Sequence, residues 1–110
     1  DTWKRPLMGR IAEEACSKVI LTNDDPYDED PQTIVEDIVR GMRARPEIVL
    51  DRRAAIRAAL ALALSGDAVL ICGKGTDPFL MEAHGKKTPW SDAAIAREEL
   101  TKLLESKHGA

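Results

Sequence analysis

Residues 18–31 read KVILTNDDPYDEDP and indicate how the whole chain is organised. The opening KVILT is a short aliphatic and β-branched run, which is typical of a strand buried in a parallel sheet. A loop crowded with Asp follows it. Asp30 and Pro31 then match a helix N-cap and first helical position, because Asp accepts from free N–H groups and Pro has no N–H to leave unpaired. This stretch therefore predicts a strand, a loop at its carboxyl end and a helix.

Helical periodicity appears on both sides of that unit. The predicted helices begin near Pro6, at Pro31, at Arg52, and at a cap formed by Ser91 or Asp92. The third helix, over residues 52–64, is unusual because Arg57 is its only polar residue from residue 54 onward. A helix that is apolar nearly all round is expected to lie buried against a sheet or another domain.

Two more apolar runs, residues 47–50 (EIVL) and 68–72 (AVLIC), predict strands, and the second is the clearest strand in the chain. A small hairpin is expected around Gly85. Short apolar strands separated by helices imply βαβ units, so we predict an α/β fold with a mostly parallel sheet and flanking helices. Such folds usually begin with a strand, whereas this chain begins at Asp1 and then forms a helix. We therefore expect that the N-terminal strand is missing.

Size and composition exclude several classes of protein. The chain has 110 residues, enough for one domain, and its aromatic fraction of 4% requires an aliphatic core. A net charge of −3 gives no attraction to nucleic acid. The longest strongly apolar run, residues 58–64, is far shorter than the ~20 residues that span a bilayer, and no signal peptide is visible. We expect a cytoplasmic protein that binds neither nucleic acid nor membrane.

Cysteine, histidine and arginine usage adds no catalytic motif. Cys16 and Cys72 form no CxxC motif and no Cys/His cluster, so we expect two buried, reduced thiols and no zinc site. His84 has no partner at a recognisable spacing and is expected to be structural or exposed. The following arginines are expected mainly at the surface and at helix starts, with one or two facing a phosphate ligand: Arg40, Arg43, Arg45, Arg52, Arg53 and Arg57.

Two loops follow predicted strands, where open α/β sheets bind ligands. The loop over residues 73–78 (GKGTDP) suggests phosphate, but Ala68 stands where a Walker motif needs Gly and Pro78 where a dinucleotide fingerprint needs Gly or Ala. A tight turn and a ligand loop are equally supported. In a ligand loop the glycines would let the backbone approach closely, and Asp77 would accept from an ammonium group.

The other loop is strongly acidic. Residues 24–37 hold seven acidic side chains and no Lys or Arg. Most of these acids fit a solvated surface or a helix cap. Asp24 and Asp25 differ because they directly follow the strand, where a pair of carboxylates can bind an amine or a divalent metal.

Four segments, in the same order and at similar spacing, resemble the C-terminal domain of the Mur ligases, most closely the MurE or UDP-N-acetylmuramoyl-tripeptide synthetase type. They are residues 3–9 (WKRPLMG), 22–31 (TNDDPYDEDP), 71–75 (ICGKG) and 89–98 (PWSDAAIARE). The resemblance runs nearly the full chain, and four motifs in order are hard to obtain by chance.

The resemblance implies that residues 1–110 are the amino-acid-binding C-terminal domain, a Rossmann-like three-layer sandwich, of a three-domain ligase of peptidoglycan synthesis. ATP would phosphorylate the carboxylate of UDP-MurNAc-L-Ala-D-Glu, and the amine of diaminopimelate or lysine would displace phosphate from the acyl phosphate. ATP and Mg²⁺ then belong to the central domain of the full-length enzyme, so this chain alone binds no cofactor and holds no catalytic residue. Its partners are the UDP-MurNAc-dipeptide, the diamino acid, and the enzyme's own N-terminal and central domains.

The resemblance also assigns substrate-binding residues and no metal ligand. The family's Asp-Asn-Pro-Arg motif falls on Asp24, Asp25, Pro26 and Tyr27. Its Gly-Lys-Gly-His-Glu motif falls on residues 73–77, which makes Gly73 and Asp77 ligand residues, and Lys74 and Gly75 candidates for nucleotide contact or loop support.

Departures from the family motifs leave the added amino acid open. Tyr27 stands where an Arg is expected to hold the distal carboxylate of diaminopimelate, and a Tyr donates only one hydrogen bond. Asp25 replaces an amide, which favours an amine-bearing end group. Diaminopimelate, lysine or another diamino acid therefore all fit. A hypothesis of another class also stands: an autonomous small α/β module that binds a ligand or partner without catalysis.

Overall fold

The computed structural model describes residues 3–74 and 78–108, the last two without their side chains. Its helices are α1 (Lys4–Ala15), α2 (Pro31–Val39), α3 (Arg52–Leu62) and α4 (Asp92–His108). Its strands are β1 (Ile20–Leu21), β2 (Glu47–Ile48), β3 (Phe79–Met81) and β4 (Lys87–Pro89), and a short 3₁₀ turn covers Ala83–Gly85. Helices alternate with short strands along the chain, as predicted for an α/β fold.

The strand–loop–helix unit predicted from residues 18–31 is confirmed. Strand β1 pairs in parallel with β2, and α2 forms the connection between them. The pairing continues past the assigned strand ends, because the N–H of Val49 donates to the carbonyl of Leu21 at 2.9 Å and that of Asn23 donates to Leu50 at 3.3 Å. This βαβ unit places the acidic loop at the carboxyl end of β1.

Side-chain caps fix the start of three helices. The Asp30 carboxylate accepts from the N–H of Gln32, with Pro31 at the first helical position, as the sequence predicts. Asp51 caps α3 in the same way, a contact that sequence inspection did not identify. Of the two candidates for α4, Ser91 is the cap, since its hydroxyl accepts from Ala94 at 3.1 Å.

The strand predicted at residues 68–72 is not formed among the described residues. These residues form no ladder with any described strand, and the Leu70 side chain is 79% exposed. A strand exists only where a neighbour completes its hydrogen bonds, and apolar composition alone cannot supply one. The described residues therefore form two two-stranded sheets, β1–β2 parallel and β3–β4 antiparallel. A three-layer sandwich around a mostly parallel sheet stays a prediction.

The hairpin expected around Gly85 is confirmed. Strands β3 and β4 are antiparallel, with Leu80 opposite Thr88, and the turn Ala83–Gly85 joins them. His84 lies in that turn and is exposed, as expected. The hairpin matters because its first strand packs beside the acidic loop.

The core is small and aliphatic, as the low aromatic content predicts. Its buried apolar side chains are Val35, Ala55, Ile56 and Leu80. Helices α1 and α2 approach so closely that a Cβ at Gly9 would overlap the Ile38 carbonyl. None of the described helices is long and apolar enough to cross a membrane.

Two expectations about burial are wrong. Helix α3 is buried only along the face that carries Ala55 and Ile56, and Leu62 near its end is 43% exposed. Both Cys16 and Cys72 are unpaired, as predicted, but exposed rather than buried. Too few segments of this chain pack against α3 and against the two cysteines to bury them.

Candidate functional site

A cleft of about 600 Å³ opens beside the carboxyl end of β1. The acidic loop forms one wall, and side chains of α1 and α2, among them Met8 and Ile38, form the other. The four residues predicted from the loop motif all line it: Asp24, Asp25, Pro26 and Tyr27. The structure therefore brings these residues together at one concave surface, the kind of place where small ligands bind.

Asp24 is the carboxylate left open to a ligand. Within the described residues it forms no hydrogen bond, although its side chain is partly buried. Burial raises its pKa above the ordinary value, and the positive charges of Arg52 and Lys74 offset this only in part. A half-buried carboxylate without a hydrogen-bond partner is well suited to accept from an ammonium group.

Gly73 brings the second predicted loop against Asp24. Its φ of 108° lies in the region that favours glycine, and a Cβ there would overlap Oδ2 of Asp24. Glycine therefore suits this position, because any other residue would be strained at this φ and its Cβ would displace the Asp24 carboxylate. Gly75 and Asp77, the other predicted residues of this loop, lie outside the described residues.

Asp25 already has a cation partner within the chain. The Lys74 ammonium lies 2.8 Å from Oδ1 and 2.7 Å from Oδ2 of Asp25, and the Lys74 side chain has no exposed surface. Oδ1 also accepts from the N–H of Met81 at 2.7 Å. Asp25 therefore does not favour an amine-bearing end group in the substrate, because Lys74 already matches its charge.

Tyr27 stands at the opening of the cleft in a constrained backbone. Its side chain is 56% exposed, and its φ is 55°, which is unusual for a bulky residue. Asp25 also has a positive φ, of 43°, and Pro26 between them is buried. The Tyr27 N–H donates to the carbonyl of Met81 at 3.4 Å, so β3 supports this conformation.

Arg52 is buried behind the site and connects several of its segments. Its guanidinium donates to both oxygens of Asp92 at 2.9 and 2.8 Å, and to the carbonyls of Asn23 and Cys72 at 3.0 Å each. Asn23 and Cys72 directly precede the two ligand loops. Burial alone would raise the pKa of Asp92, but hydrogen bonds from Arg52 and Trp90 hold it below its ordinary value.

Arg52 lies at a helix start, as predicted, but it is buried and not at the surface, since it is only 4% exposed. The sequence grouped it with the other arginines by composition. The available signal was its position at the first turn of α3, shortly after β2, where a long side chain can reach neighbouring strand ends. Its partner Asp92 lies 40 residues away and could not be inferred from spacing.

Arg5 closes the outer edge of the cleft. It donates to both oxygens of Glu29 at 2.7 and 2.8 Å and to Asp37 at 3.0 Å, which joins α1, the acidic loop and α2. These hydrogen bonds, that from Glu29 above all, raise the pKa of Arg5. Because Glu29 and Asp37 already match its charge, Arg5 shapes the cleft wall.

Among residues 3–74 and 78–108, no three His, Cys, Asp or Glu side chains are placed to hold a metal ion. Asp24 and Asp25 are neighbours, but the second is occupied by Lys74. Of these two carboxylates, Asp24 is the one without an ion-pair partner within the described residues.

Residues 1–75 match the family model described as Mur ligase, glutamate ligase domain. The chain belongs to the Mur ligase family. The match covers α1 to α3 and both elements that meet at Asp24, the acidic loop and the Gly73–Lys74 turn. The resemblance found in the four sequence segments is thus confirmed.

Two relatives of this Mur ligase chain are both named UDP-N-acetylmuramoyl-L-alanyl-D-glutamate–2,6-diaminopimelate ligase. The protein of Aquifex aeolicus is 44% identical over 102 residues, which are 91% of this chain and 21% of the relative. That of Chromobacterium violaceum is 46% identical over 102 residues, 92% of this chain and 20% of the relative.

A solved structure with the same name has a TM-score of 0.85 to this chain at 34% identity. The superposition covers 94% of this chain and 22% of that structure. The Mur ligase chain thus spans about a fifth of the length of the relatives that it matches.

Proposed function

We propose that this chain is the amino-acid-binding C-terminal domain of a bacterial, cytoplasmic, ATP-dependent ligase of peptidoglycan synthesis. The full-length enzyme would join a diamino acid to UDP-MurNAc-L-Ala-D-Glu. The observation that carries the proposal is Asp24, a partly buried carboxylate with no hydrogen bond within the described residues, which lines a cleft in a Mur ligase chain. The relatives' names support the choice of substrates.

The proposed reaction forms an amide in two steps. ATP transfers its terminal phosphoryl group to the substrate carboxylate, which gives an acyl phosphate and ADP. The neutral amine of the amino acid then attacks the acyl carbon, and inorganic phosphate leaves with the C–O bonding electrons. In this scheme the described residues bind and orient the amino acid, which raises the effective concentration of its amine.

ATP and Mg²⁺ are assigned to the part of the longer protein outside this chain. Among the described residues, many carboxylates and cations are paired with one another, as in Arg5–Glu29, Arg52–Asp92 and Lys74–Asp25. The N-terminal and central domains are the proposed partners that complete the enzyme.

We propose that the amino acid is bound at both loops, by the six residues that the family motifs assign: Asp24, Asp25, Pro26, Tyr27, Gly73 and Asp77. Asp24 would accept from a substrate ammonium group, and Asp25 would act by shaping the loop, since Lys74 holds its charge. Tyr27 would offer a single hydroxyl to the far end of the substrate. Diaminopimelate is favoured by the relatives' names, and lysine by the absence of a cation at Tyr27.

We also propose that the fold is the Rossmann-like three-layer sandwich. Residues 68–72 are apolar yet partly exposed, and they have no ladder partner among the described residues. The edge of β1 that faces away from β2 has none either. An extended segment of the longer protein, seated between them, would complete a parallel sheet.

The test is ATP-dependent ligation by the full-length protein with diaminopimelate, lysine and ornithine offered separately. We expect one of the three amino acids to be strongly preferred, with diaminopimelate as the first candidate. Its kcat/KM should exceed that of the other two by about tenfold or more, because a site built around polar end groups rejects analogues that leave those groups unpaired. Equal turnover of all three would contradict the role of residues 24–27. A protein that forms no amide with ATP would instead support the autonomous binding module.

A further inference from the structure

A buried ion pair joins the two loops that form the proposed amino-acid site. Lys74 follows Gly73 in one loop, and Asp25 lies in the other, 49 residues earlier. Both carboxylate oxygens of Asp25 accept from the Lys74 ammonium, and the Lys74 side chain is completely buried while that of Asp25 is 22% exposed. A charge with no exposed surface is retained only where its partner is fixed, because an unpaired buried charge is strongly destabilising.

The loop that Asp25 belongs to needs such a fixed point. Asp25 and Tyr27 both have positive φ values, which residues other than glycine adopt only at a cost in free energy. Met81 supplies part of the support, since its N–H donates to Asp25 and its carbonyl accepts from Tyr27. Asp25 therefore stands where three segments meet: the acidic loop, β3 and the Gly73–Lys74 turn.

The burial of Lys74 disfavours the direct nucleotide contact that the family motif suggests for this residue. A phosphate could reach the ammonium only if the segments that bury Lys74 moved apart, since the Lys74 side chain has no exposed surface. The unmatched carboxylate beside this pair is Asp24, which lines the cleft. The Lys74 ammonium therefore contacts the protein, and Lys74 affects a ligand by holding the acidic loop in place.

We propose that Lys74 is a positioning residue for amino-acid recognition: by pairing with Asp25 it holds the loop over residues 24–27, in which Asp25 and Tyr27 have positive φ, in the conformation that presents Asp24 and Tyr27 to the substrate. This inference rests on the proposed function, and it assigns Lys74 no contact with nucleotide or substrate.

The test is steady-state ligation by the full-length enzyme carrying Lys74→Met, with Lys74→Arg as the conservative variant. We expect Lys74→Met to raise KM for the amino acid about tenfold while KM for ATP stays within about twofold, because only the amino-acid loop loses its support. Lys74→Arg keeps the charge and should recover part of the loss. The matched control is Lys102→Met, since Lys102 is an exposed lysine on α4, paired with Glu99 far along the chain from both loops.

A double variant tests whether the pair acts as a unit. Asp25→Asn/Lys74→Met contains neither buried charge, and its KM for the amino acid should lie near that of Asp25→Asn alone, since coupled partners are not additive. If Lys74→Met does not fold, this double variant, compared with Asp25→Asn, decides in its place. A rise in KM for ATP instead, an unchanged KM for the amino acid, or additive effects would each overturn the proposal. Absence of ligation by the unmutated enzyme would instead contradict the proposed function.

Discussion

Two adjacent carboxylates, Asp24 and Asp25, receive opposite environments from the same loop. Asp25 is held by Lys74 and by the N–H of Met81, whereas Asp24 has no hydrogen bond within the described residues. Environment, and not residue type, therefore separates a structural carboxylate from one available to a ligand. Gly73 lies against Asp24, and a Cβ at that position would displace the Asp24 carboxylate.

Asp24→Asn should stabilise the fold at neutral pH. Burial raises the pKa of Asp24, so the folded state prefers the protonated form, and stability is lost as pH rises from the ordinary value of 3.8 through the raised one. The neutral amide avoids that loss. We expect a higher thermal unfolding midpoint for Asp24→Asn than for the unmutated full-length protein at pH 7, with the gap closing below pH 4.

Asp67→Asn is the control for that comparison, because Asp67 is an exposed acid in the turn after α3, where it accepts from Leu64. It removes the same charge from a solvated position. An unfolding midpoint of Asp24→Asn at or below that of the unmutated protein at pH 7 would show that burial does not disfavour the Asp24 carboxylate.

For individual residues, the sequence predicted where a side chain lies in the fold but not which side chain it pairs with. Asp24 and its neighbours were placed in a binding loop because they directly follow a strand, and the structure lines a cleft with them. The pairing of Lys74 with Asp25 and the burial of Arg52 could not be predicted, since both join segments that are 20 or more residues apart. Composition shows how many charges exist, and only packing shows which of them meet.

At the scale of elements, ion pairs connect α3 and α4. Glu99 on α4 is 3% exposed and accepts from Arg53 at 2.5 Å and from Arg57 at 2.8 Å on α3. Hydrogen bonds from Arg57 first, and then Arg53, lower the pKa of Glu99 to about 2. The face of α4 that contacts α3 is therefore partly ionic. The spacing of the aliphatic residues in α4 did not indicate this.

Glu99→Gln should weaken this contact in a pH-dependent way. Because the folded state holds the Glu99 carboxylate ionised, its contribution is present above the ordinary pKa of 4.5 and is lost as pH falls toward about 2. We expect Glu99→Gln to lower the thermal unfolding midpoint of the full-length protein at pH 7, and the difference from the unmutated protein to shrink by pH 2–3. Glu105→Gln, an exposed acid on the same helix, is the control. A difference that is constant with pH would contradict this account.

Local signals predicted helices better than strands. Asp30 and Pro31 mark the start of α2 correctly, because a cap is built from neighbouring residues. Residues 68–72 have the most strand-like composition and still form no ladder in the described chain, because a ladder depends on a neighbour elsewhere in the sequence. The hairpin of β3 and β4 was predictable since its two strands are joined by a short turn.

For the whole molecule, the acidic loop, α1 and α2 form one cleft, and the Gly73–Lys74 turn packs against the acidic loop. Arg52 contacts both loops where they begin, Lys74 pairs with Asp25 of the acidic loop, and Arg5 joins that loop to α1 and α2. These contacts hold Asp24, which forms no hydrogen bond within the described residues, in a cleft of a Mur ligase chain. A fixed acceptor in a cleft orients an amine, as amide formation requires.

The most direct test of amino-acid binding by this cleft is the pair of KM values of full-length Asp24→Asn, one for the amino acid and one for ATP. A charge-assisted hydrogen bond replaced by a neutral one predicts a rise of about tenfold or more in KM for the amino acid, with KM for ATP within about twofold and Asp67→Asn unchanged in both. A variant whose KM rises for ATP while that for the amino acid stays constant would contradict the account.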